Sequence, residues 1–288
     1  MSARDADGTV RRERAGAAGI ARRAVLAVLG LVWLFPTYLI VANAVRPADD
    51  YDPSDAVKPP SSMGLFDNVS AAWDRTGVGG TLLSTLAYSV VSPALAVLLG
   101  ALAGYAIVVL RLRHGFAWFV VIFAGTVVPF QMLLVPLFVG YSKVSLYDDH
   151  VGLVLVYTAI SVPLAALVMR NFFGSVAVSI FEAARLDGAS TFRIFWRIYL
   201  PLSSAALAAV FILEFTYVWN DLLFGLTLSQ SESVRPVWAE LSALTTDVYA
   251  GTPVPIALAA GLVVSLPTVV LFLATQRLFT RGLTLAQL

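Results

Sequence analysis

The hydrophobic positions of this chain fall into six long runs that hold few or no charged residues. An α-helix needs about 20 apolar residues to cross the hydrocarbon core of a membrane, and each run is long enough for one such helix. Without their polar ends, the predicted spans lie near residues 24–44, 83–110, 116–141, 151–169, 203–228 and 254–275. The pattern therefore predicts an all-α membrane protein with six transmembrane helices.

The polar stretches between these runs divide the chain. The predicted parts are an N-terminal tail (1–23), a first transmembrane helix (24–44), a loop (45–80), a five-helix core with a long loop at 170–201 (81–279) and a C-terminal tail (280–288). The loop at 45–80 is rich in Pro and Asp, which indicates an irregular, partly ordered cap. In the second span, Gly100 and Gly104 extend a row of small residues that lets helix backbones approach closely. We expect them to pack within this chain.

Composition supports the membrane prediction. Only 13% of the residues are charged, about half of the ~25% that soluble domains carry, and 59% are hydrophobic. The absence of cysteine excludes disulfides and thiolate metal sites. Since the only histidines, His114 and His150, flank different apolar runs, no metal site is predicted.

The distribution of Lys and Arg predicts the orientation. Fourteen of the 19 basic residues fall in the N-terminal tail and in the segments on the same side of the membrane. Short cytoplasmic segments carry the excess of Lys and Arg. Both termini are therefore predicted to be cytoplasmic, and the loop at 45–80 lies on the opposite side.

Several kinds of chemistry are absent. A phosphate-binding loop needs a lysine after its second glycine, and the only two lysines, Lys58 and Lys143, stand in no such motif. No nucleophile–base set and no metalloprotease motif is present, so no catalytic residue is predicted. A net charge of +1 gives no indication of nucleic-acid binding.

The loop at 170–201 contains the most specific motif. It reads Glu182-Ala183-Ala184-Arg185-Leu186-Asp187-Gly188, then nine residues, then Ile198-Tyr199-Leu200-Pro201. The first part predicts a short helix that ends at Gly188 in a left-handed cap, and Ser190 can cap a second helix. Phe192, Phe195, Trp196 and Tyr199 then share one helical face. These features alone also fit an amphipathic helix on the membrane surface.

The motif E-A-A-x(3)-G-x(9)-I-x-L-P resembles the cytoplasmic signature of permease subunits of bacterial binding-protein-dependent ABC importers. Two further stretches are similar to the carbohydrate branch of this family and to its second, maltose-type inner-membrane subunit. They are Trp219-Asn220-Asp221, and Gln276-Arg277-Leu278-Phe279 followed by Gly282-Leu283. The resemblance covers residues 80–285.

The resemblance implies a type I ABC importer transmembrane domain with a cytoplasmic coupling helix that docks on an ATPase. The residues it assigns to ATPase coupling are Glu182, Ala183, Ala184, Asp187, Gly188, Ile198, Leu200 and Pro201. It further implies a second permease subunit in a heterodimer, two copies of an ATPase that bind ATP and Mg, and an extracytoplasmic substrate-binding protein. This chain, in the bacterial inner membrane and in contact with lipid, would hold no cofactor of its own.

Two departures from the maltose-type pattern limit the resemblance. Only Leu285-Ala286-Gln287-Leu288 follow Thr284, where maltose-type subunits often carry a glycine-rich basic tail, so a tail contact with the ATPase is in doubt. The loop at 45–80 is also shorter than the insertions that some of these permeases use against the binding protein.

Polar residues inside the fifth span are candidates for the substrate path. Charged groups at membrane depth are costly and should face protein or water, and sugars suit acids, amides and aromatic rings together. The candidates are Glu214, Tyr217, Asn220 and Asp221, with Gln131 in the third span as a weaker one. The same residues could instead pair structurally at a subunit interface or relay protons.

The sequence therefore favours a carbohydrate ABC importer permease. Three alternatives remain: an ABC permease for another polar solute, such as glycerol phosphate or an amino sugar, a proton-coupled secondary transporter that uses Glu214 and Asp221, and a membrane scaffold without transport activity.

Overall fold

The computed structural model describes the backbone of residues 3–76, 78–248 and 253–285, and the side chains of residues 19–76, 78–244 and 253–275. Within these ranges the chain is helical and holds no strand, which confirms the predicted all-α class. The helices are α1 (Ala3–Val45), α2 (Leu65–Arg75), α3 (Val78–Gly104), α4 (Gly115–Ala124), α5 (Phe130–Lys143), α6 (His150–Ser175), α7 (Val178–Leu186), α8 (Thr191–Ile194), α9 (Leu200–Leu202), α10 (Ser204–Trp219), α11 (Leu223–Leu228), α12 (Val237–Val248) and α13 (Val254–Leu285).

Four helical segments of the described chain are long and apolar enough to cross a membrane. They are Gly19–Val45, Val78–Val109, His150–Ser175 and Val254–Thr275, which correspond to the first, second, fourth and sixth predicted spans. A fifth crossing is formed if Thr191–Leu202 and Ser204–Trp219, which meet at 74°, act as one bent span. The described chain thus has four helices that are long enough to cross a membrane, or five crossings if the bent pair is counted as one. The predicted count of six is not confirmed.

The third predicted span, 116–141, is broken. It consists of α4, which is too short to cross a membrane, and α5, with residues 125–129 between them outside any helix. The break follows from Pro129, which stands before the first turn of α5 in an extended conformation and has no N–H to continue a helix. The prediction of one continuous helix here is wrong.

The predicted boundaries of the remaining parts shift. The fifth predicted span, 203–228, is also two helices, because α10 ends at Trp219 and α11 starts at Leu223. Helix α1 begins at Ala3 and α13 continues to Leu285, so helical structure extends into both predicted tails. Residues 286–288 and the side chains of the motif at 276–284 lie outside the described residues.

The chain divides into two compact units. One comprises Met1–Ala72 and Val248–Leu262, and the other comprises Trp73–Asp247 and Val263–Leu288. In the first, the cap after α1 is ordered by backbone contacts: the Asn68 amide donates to the Ala44 and Arg46 carbonyls at 2.9 and 2.8 Å. The cap is therefore fixed to the C-terminal end of α1.

The second unit is built on the packing of α3 against α6, with α10 against α3. A Cβ on Gly100 would lie 2.6 Å from the Ala165 carbonyl carbon, and a Cβ on Gly104 would lie 2.8 Å from the Arg170 nitrogen. The two glycines thus let α3 and α6 approach to backbone contact. The expectation that this row packs within the chain is confirmed.

Candidate functional site

Helix α7 presents the motif residues on an exposed surface. Glu182, Ala183 and Asp187 are exposed, whereas Ala184 is only 8% exposed and faces inward. Gly188 ends the helix with φ +78°, in the left-handed conformation that glycine adopts without strain. The predicted glycine cap is confirmed, and it leaves α7 as a short protruding helix with an acidic side chain on its outer face.

A cluster of aromatic and apolar residues, here called the coupling cluster, lies beneath α7. It brings together the ends of α3 and α6, α7 through Ala184, and the segment after α7. Its buried members are Ala101, Tyr105, Met169, Phe173, Ala184, Ile194, Phe195 and Tyr199. Through Ala184, α7 shares this cluster with the ends of both spanning helices.

Tyr105 stands at the centre of the coupling cluster. Its ring lies 5.1 Å from that of Phe195 and 5.2 Å from that of Tyr199, measured between centroids. Its hydroxyl donates to the Thr191 carbonyl at 3.0 Å. Sequence reasoning missed Tyr105 and Phe173. The only signal for them was an aromatic residue near the end of the second predicted span and another just after the fourth.

Two π-helical turns meet at this cluster, one over Tyr105–Val109 and one over Phe195–Tyr199. A π-turn adds a residue to the helical repeat and often marks a functional position. The second turn divides the predicted aromatic stripe: Phe195 and Tyr199 are buried, while Phe192 and Trp196 stay exposed.

The remaining motif residues lie at the junction with α9. Ile198 and Leu200 are half-buried and pack against the coupling cluster. Pro201 is exposed in the short helix α9. The structure thus brings Ala184, Ile198 and Leu200 to one cluster and leaves the other motif residues at the surface.

The second candidate region is the break between α10 and α11. The Asp221 carboxylate accepts hydrogen bonds from the Tyr157 hydroxyl at 2.8 Å and the Gly225 N–H at 3.0 Å, so it caps the first turn of α11. Trp219 is buried, and its indole N–H donates to the Val264 carbonyl at 3.0 Å. These two members of the Trp219-Asn220-Asp221 motif therefore hold the helices together.

An open groove lies beside this break. A cavity of about 540 Å³ is lined by Leu213, Thr216, Tyr217, Asn220, Asp221, Leu222 and Leu223. A second cavity, of about 380 Å³, shares Asn220 and Leu222 and adds Trp238, Leu241 and Ser242. Asn220 thus stands between two cavities with its side chain exposed, and Trp238 is a lining residue that sequence reasoning missed.

The other two candidates lie apart from both cavities. Glu214 is only 4% exposed and lines neither cavity. Gln131 is exposed on the first turn of α5 and lines neither cavity. Of the predicted substrate-path residues, the structure brings together Tyr217, Asn220 and Asp221.

Asp148 fixes the segment that follows α11, outside the predicted spans. Its carboxylate accepts the N–H groups of Gln230 and Ser231 at 2.7 and 2.8 Å and also the Ser231 hydroxyl. Burial alone raises the pKa of Asp148, but the hydrogen bonds from Ser231 and Gln230 outweigh burial, so its pKa lies below the ordinary value. The Asp148 N–H donates to the Leu228 carbonyl at 2.9 Å, so both ends of α11 are held by aspartates.

Two curated transport proteins are similar to this chain over most of its length. The sn-glycerol-3-phosphate transport system permease protein UgpE of Yersinia pestis bv. Antiqua is 30% identical over 273 residues, which cover 90% of this chain and 94% of that protein. The melibiose/raffinose/stachyose import permease protein MelC of Bacillus subtilis is 27% identical, over 90% of this chain and 92% of that protein.

A solved structure shares the fold. It is a bacterial ABC transporter involved in the import of the acidic polysaccharide alginate, and one of its chains superposes with a TM-score of 0.75 at 20% identity, over 91% of this chain and 96% of that chain. The family described as binding-protein-dependent transport system inner membrane component matches residues 96–284. This match covers more than half of the sequence, so the chain belongs to that family of membrane transport components.

Proposed function

We propose that this chain is the permease subunit of an ATP-driven importer that passes a carbohydrate or a related polar solute from an extracytoplasmic binding protein into the cytoplasm. The relatives support this class of cargo, since their names specify sn-glycerol 3-phosphate and the sugars melibiose, raffinose and stachyose. Glycerol phosphate therefore remains an alternative to a sugar.

The observation that carries the proposal is the position of α7. Glu182 and Ala183 face outward, while Ala184 anchors the helix in the coupling cluster between the ends of α3 and α6. An ATPase that binds the outer face of α7 can therefore move α3 and α6, because Ala184 connects α7 to both helices through the coupling cluster. The small side chain of Ala183 allows close approach, and Glu182 offers a carboxylate to a basic residue of the ATPase.

The proposed assembly contains two ATPase subunits, which bind ATP and Mg, and a second permease. Six crossings of the bacterial inner membrane, with both termini in the cytoplasm, require that the broken segments α4–α5 and α10–α11 each complete one crossing. Breaks in spanning segments are tolerated where they face protein or a water-filled path. The groove beside α10 supports such a path.

Within that path we assign solute contact to Tyr217 and Asn220. Both line the groove and are exposed. The Asn220 amide nitrogen donates to the Thr216 carbonyl of its own helix at 2.7 Å, and we assign its oxygen and the Tyr217 ring to the sugar. Asp221 lines the groove too, but its carboxylate already holds Tyr157 and α11, and we assign it a positioning role. Glu214 and Gln131 are assigned no contact with solute.

The deciding experiment is affinity purification of the chain from its native membrane, mass spectrometry of what stays bound, and reconstitution into vesicles. We expect an ATPase and a second permease to co-purify, and uptake of the binding protein's ligand to require ATP. Recovery of the chain alone, with uptake that collapses when the proton gradient is removed, would establish the secondary transporter instead.

A further inference from the structure

We propose that the segment between α1 and α2, together with the first turn of α2, is a membrane-interface anchor, in which Met63 and Phe66 insert their side chains into the lipid surface at the end of α1. The proposal concerns the first compact unit only and does not depend on the cargo or on the ATPase.

The segment is fastened along the last turns of α1 by its own backbone. Four consecutive carbonyls, those of residues 55–58, accept hydrogen bonds from two side chains of α1 and from Arg46, the residue that follows it. The donors are Arg46 to Asp55 and Lys58 (3.0 and 2.9 Å), Asn43 to Ala56 (2.9 Å) and Tyr38 to Val57 (3.1 Å). Arg46 and Asn43 are almost completely buried by this contact. The segment therefore lies against α1 and does not extend away from it.

This attachment sets the depth of the segment relative to the membrane. Tyr38 lies seven residues before the end of α1, which corresponds to roughly 10 Å along the helix axis. The contact with Val57 thus brings the chain back beside the apolar part of α1. Gly64 then donates its N–H to the Val45 carbonyl at 2.7 Å and sits directly on Pro47, which fixes the residues around it at the level where α1 ends.

Large apolar side chains are exposed at that level. Met63 is 82% exposed and Phe66 is 88% exposed. Both remain exposed although hydrogen bonds hold the neighbouring backbone against α1. None of the most apolar window of Gly19–Val45 is buried by the described chain, and the hydrogen bond from Gly64 to Val45 places Met63 and Phe66 beside the end of that helix. Lipid is the occupant that this position beside a spanning helix indicates, since interfacial helices bury their apolar face about 5–10 Å deep.

Charge does not supply the attraction. Residues 46–67 carry more acidic than basic side chains, and Lys58 is already paired with Asp55 at 2.7 Å. Anionic lipid would repel such a segment rather than recruit it. The anchor must therefore act by apolar insertion, and it should not require anionic lipid.

Because the chain has no native cysteine, it adds no background labelling of its own, and the complex without an introduced cysteine, labelled in parallel, measures the background of the other subunits. In the full complex, reconstituted in phosphatidylcholine vesicles with and without phosphatidylglycerol, Phe66→Cys and Met63→Cys would each carry an environment-sensitive nitrobenzoxadiazole label. Asp67→Cys, exposed on the neighbouring position of α2, is the matched control. Cysteine at Phe66 or Met63 removes few contacts within the chain, so the variants should fold.

The expected result is a blue-shifted emission at positions 63 and 66 that is lost when nitroxide-labelled phosphatidylcholine is included, in both lipid mixtures. The label at position 67 should be quenched by aqueous iodide instead. Iodide quenching at 63 and 66 as strong as at 67 would overturn the proposal. So would labels at 63 and 66 shielded from both quenchers, since a protein subunit would then cover this surface.

Discussion

The hydroxyl of Tyr157 on α6 donates to the carboxylate of Asp221 at 2.8 Å, across a separation of 64 residues. Tyr157 is fully buried, and the same carboxylate caps α11 through the Gly225 N–H. One hydrogen bond thus ties the break in the fifth predicted span to the helix that packs on α3. Asp221 therefore acts as a joint, that is, it connects α6 to α11 by hydrogen bonds, and it also lines the groove.

Tyr157→Phe tests this joint. The ring contacts with Tyr88 and Phe224 should survive, while the loss of a hydrogen bond to a carboxylate should cost about 1.5–3 kcal/mol. Tyr141→Phe is the control, because its hydroxyl donates only to the Gly152 carbonyl, at 3.2 Å. We expect the thermal midpoint of the purified protein to fall more for Tyr157→Phe. Equal losses would contradict the role of Asp221 as a joint.

Gly100→Ala should destabilise the contact between α3 and α6. The new Cβ would lie 2.6 Å from backbone and side-chain atoms of Ala165, and such overpacking costs about 1–3 kcal/mol. A Cβ at Gly140 on α5 meets nothing within 4 Å, so Gly140→Ala should leave stability unchanged or raise it. The yield of folded protein after detergent extraction measures the difference, and similar yields would refute backbone contact at Gly100.

Glu182→Lys and Gly188→Asp should uncouple solute uptake from ATP hydrolysis and leave membrane insertion intact. The first reverses the charge on the exposed face of α7, and the second adds a side chain at its protruding end. Glu232→Lys makes the same charge change at an exposed residue of another loop and should transport normally. Uptake and ATP hydrolysis would be measured together in vesicles, and normal uptake in both α7 variants would rule out the assigned role.

Asn220→Ala should raise the KM of uptake about two- to tenfold, the loss that one hydrogen bond of 0.5–1.5 kcal/mol implies. Gln131→Ala, outside both cavities, should leave KM unchanged. Initial uptake rates over a range of solute concentrations separate KM from the maximal rate. A fall in the maximal rate alone would show that Asn220 acts on the helix motion and not on solute binding.

Asp148→Asn should weaken the attachment of the segment after α11 in a pH-dependent manner. The pKa of Asp148 is lower in the folded protein than its ordinary value, so its ionised form stabilises the fold above the unfolded pKa of about 3.9. That contribution disappears as the pH falls through the lower folded value. The thermal midpoints of the wild type and of Asp148→Asn should differ at neutral pH and converge in acid. A constant difference would contradict this.

The sequence predicted the parts of the fold that depend on local pattern. Apolar runs gave the positions of α1, α3, α6 and α13, because a membrane span requires a fixed length of apolar residues. Gly188 was identified as a helix cap, since only a residue free of a Cβ takes a positive φ without strain. The spacing of Gly100 and Gly104 predicted close helix packing, and the motif around α7 identified the family.

What the sequence left open depended on partners distant in the chain. Asp221 bonds to the Tyr157 hydroxyl on a distant helix, and Glu214 is buried although it lies on α10 with the groove residue Tyr217. The break at 125–129 also appeared only in the structure, because hydropathy does not register the missing N–H of Pro129. Local composition indicates where apolar helices form. Which face of each helix is buried depends on the packing of all of them together, and that packing decided the groove and the coupling cluster.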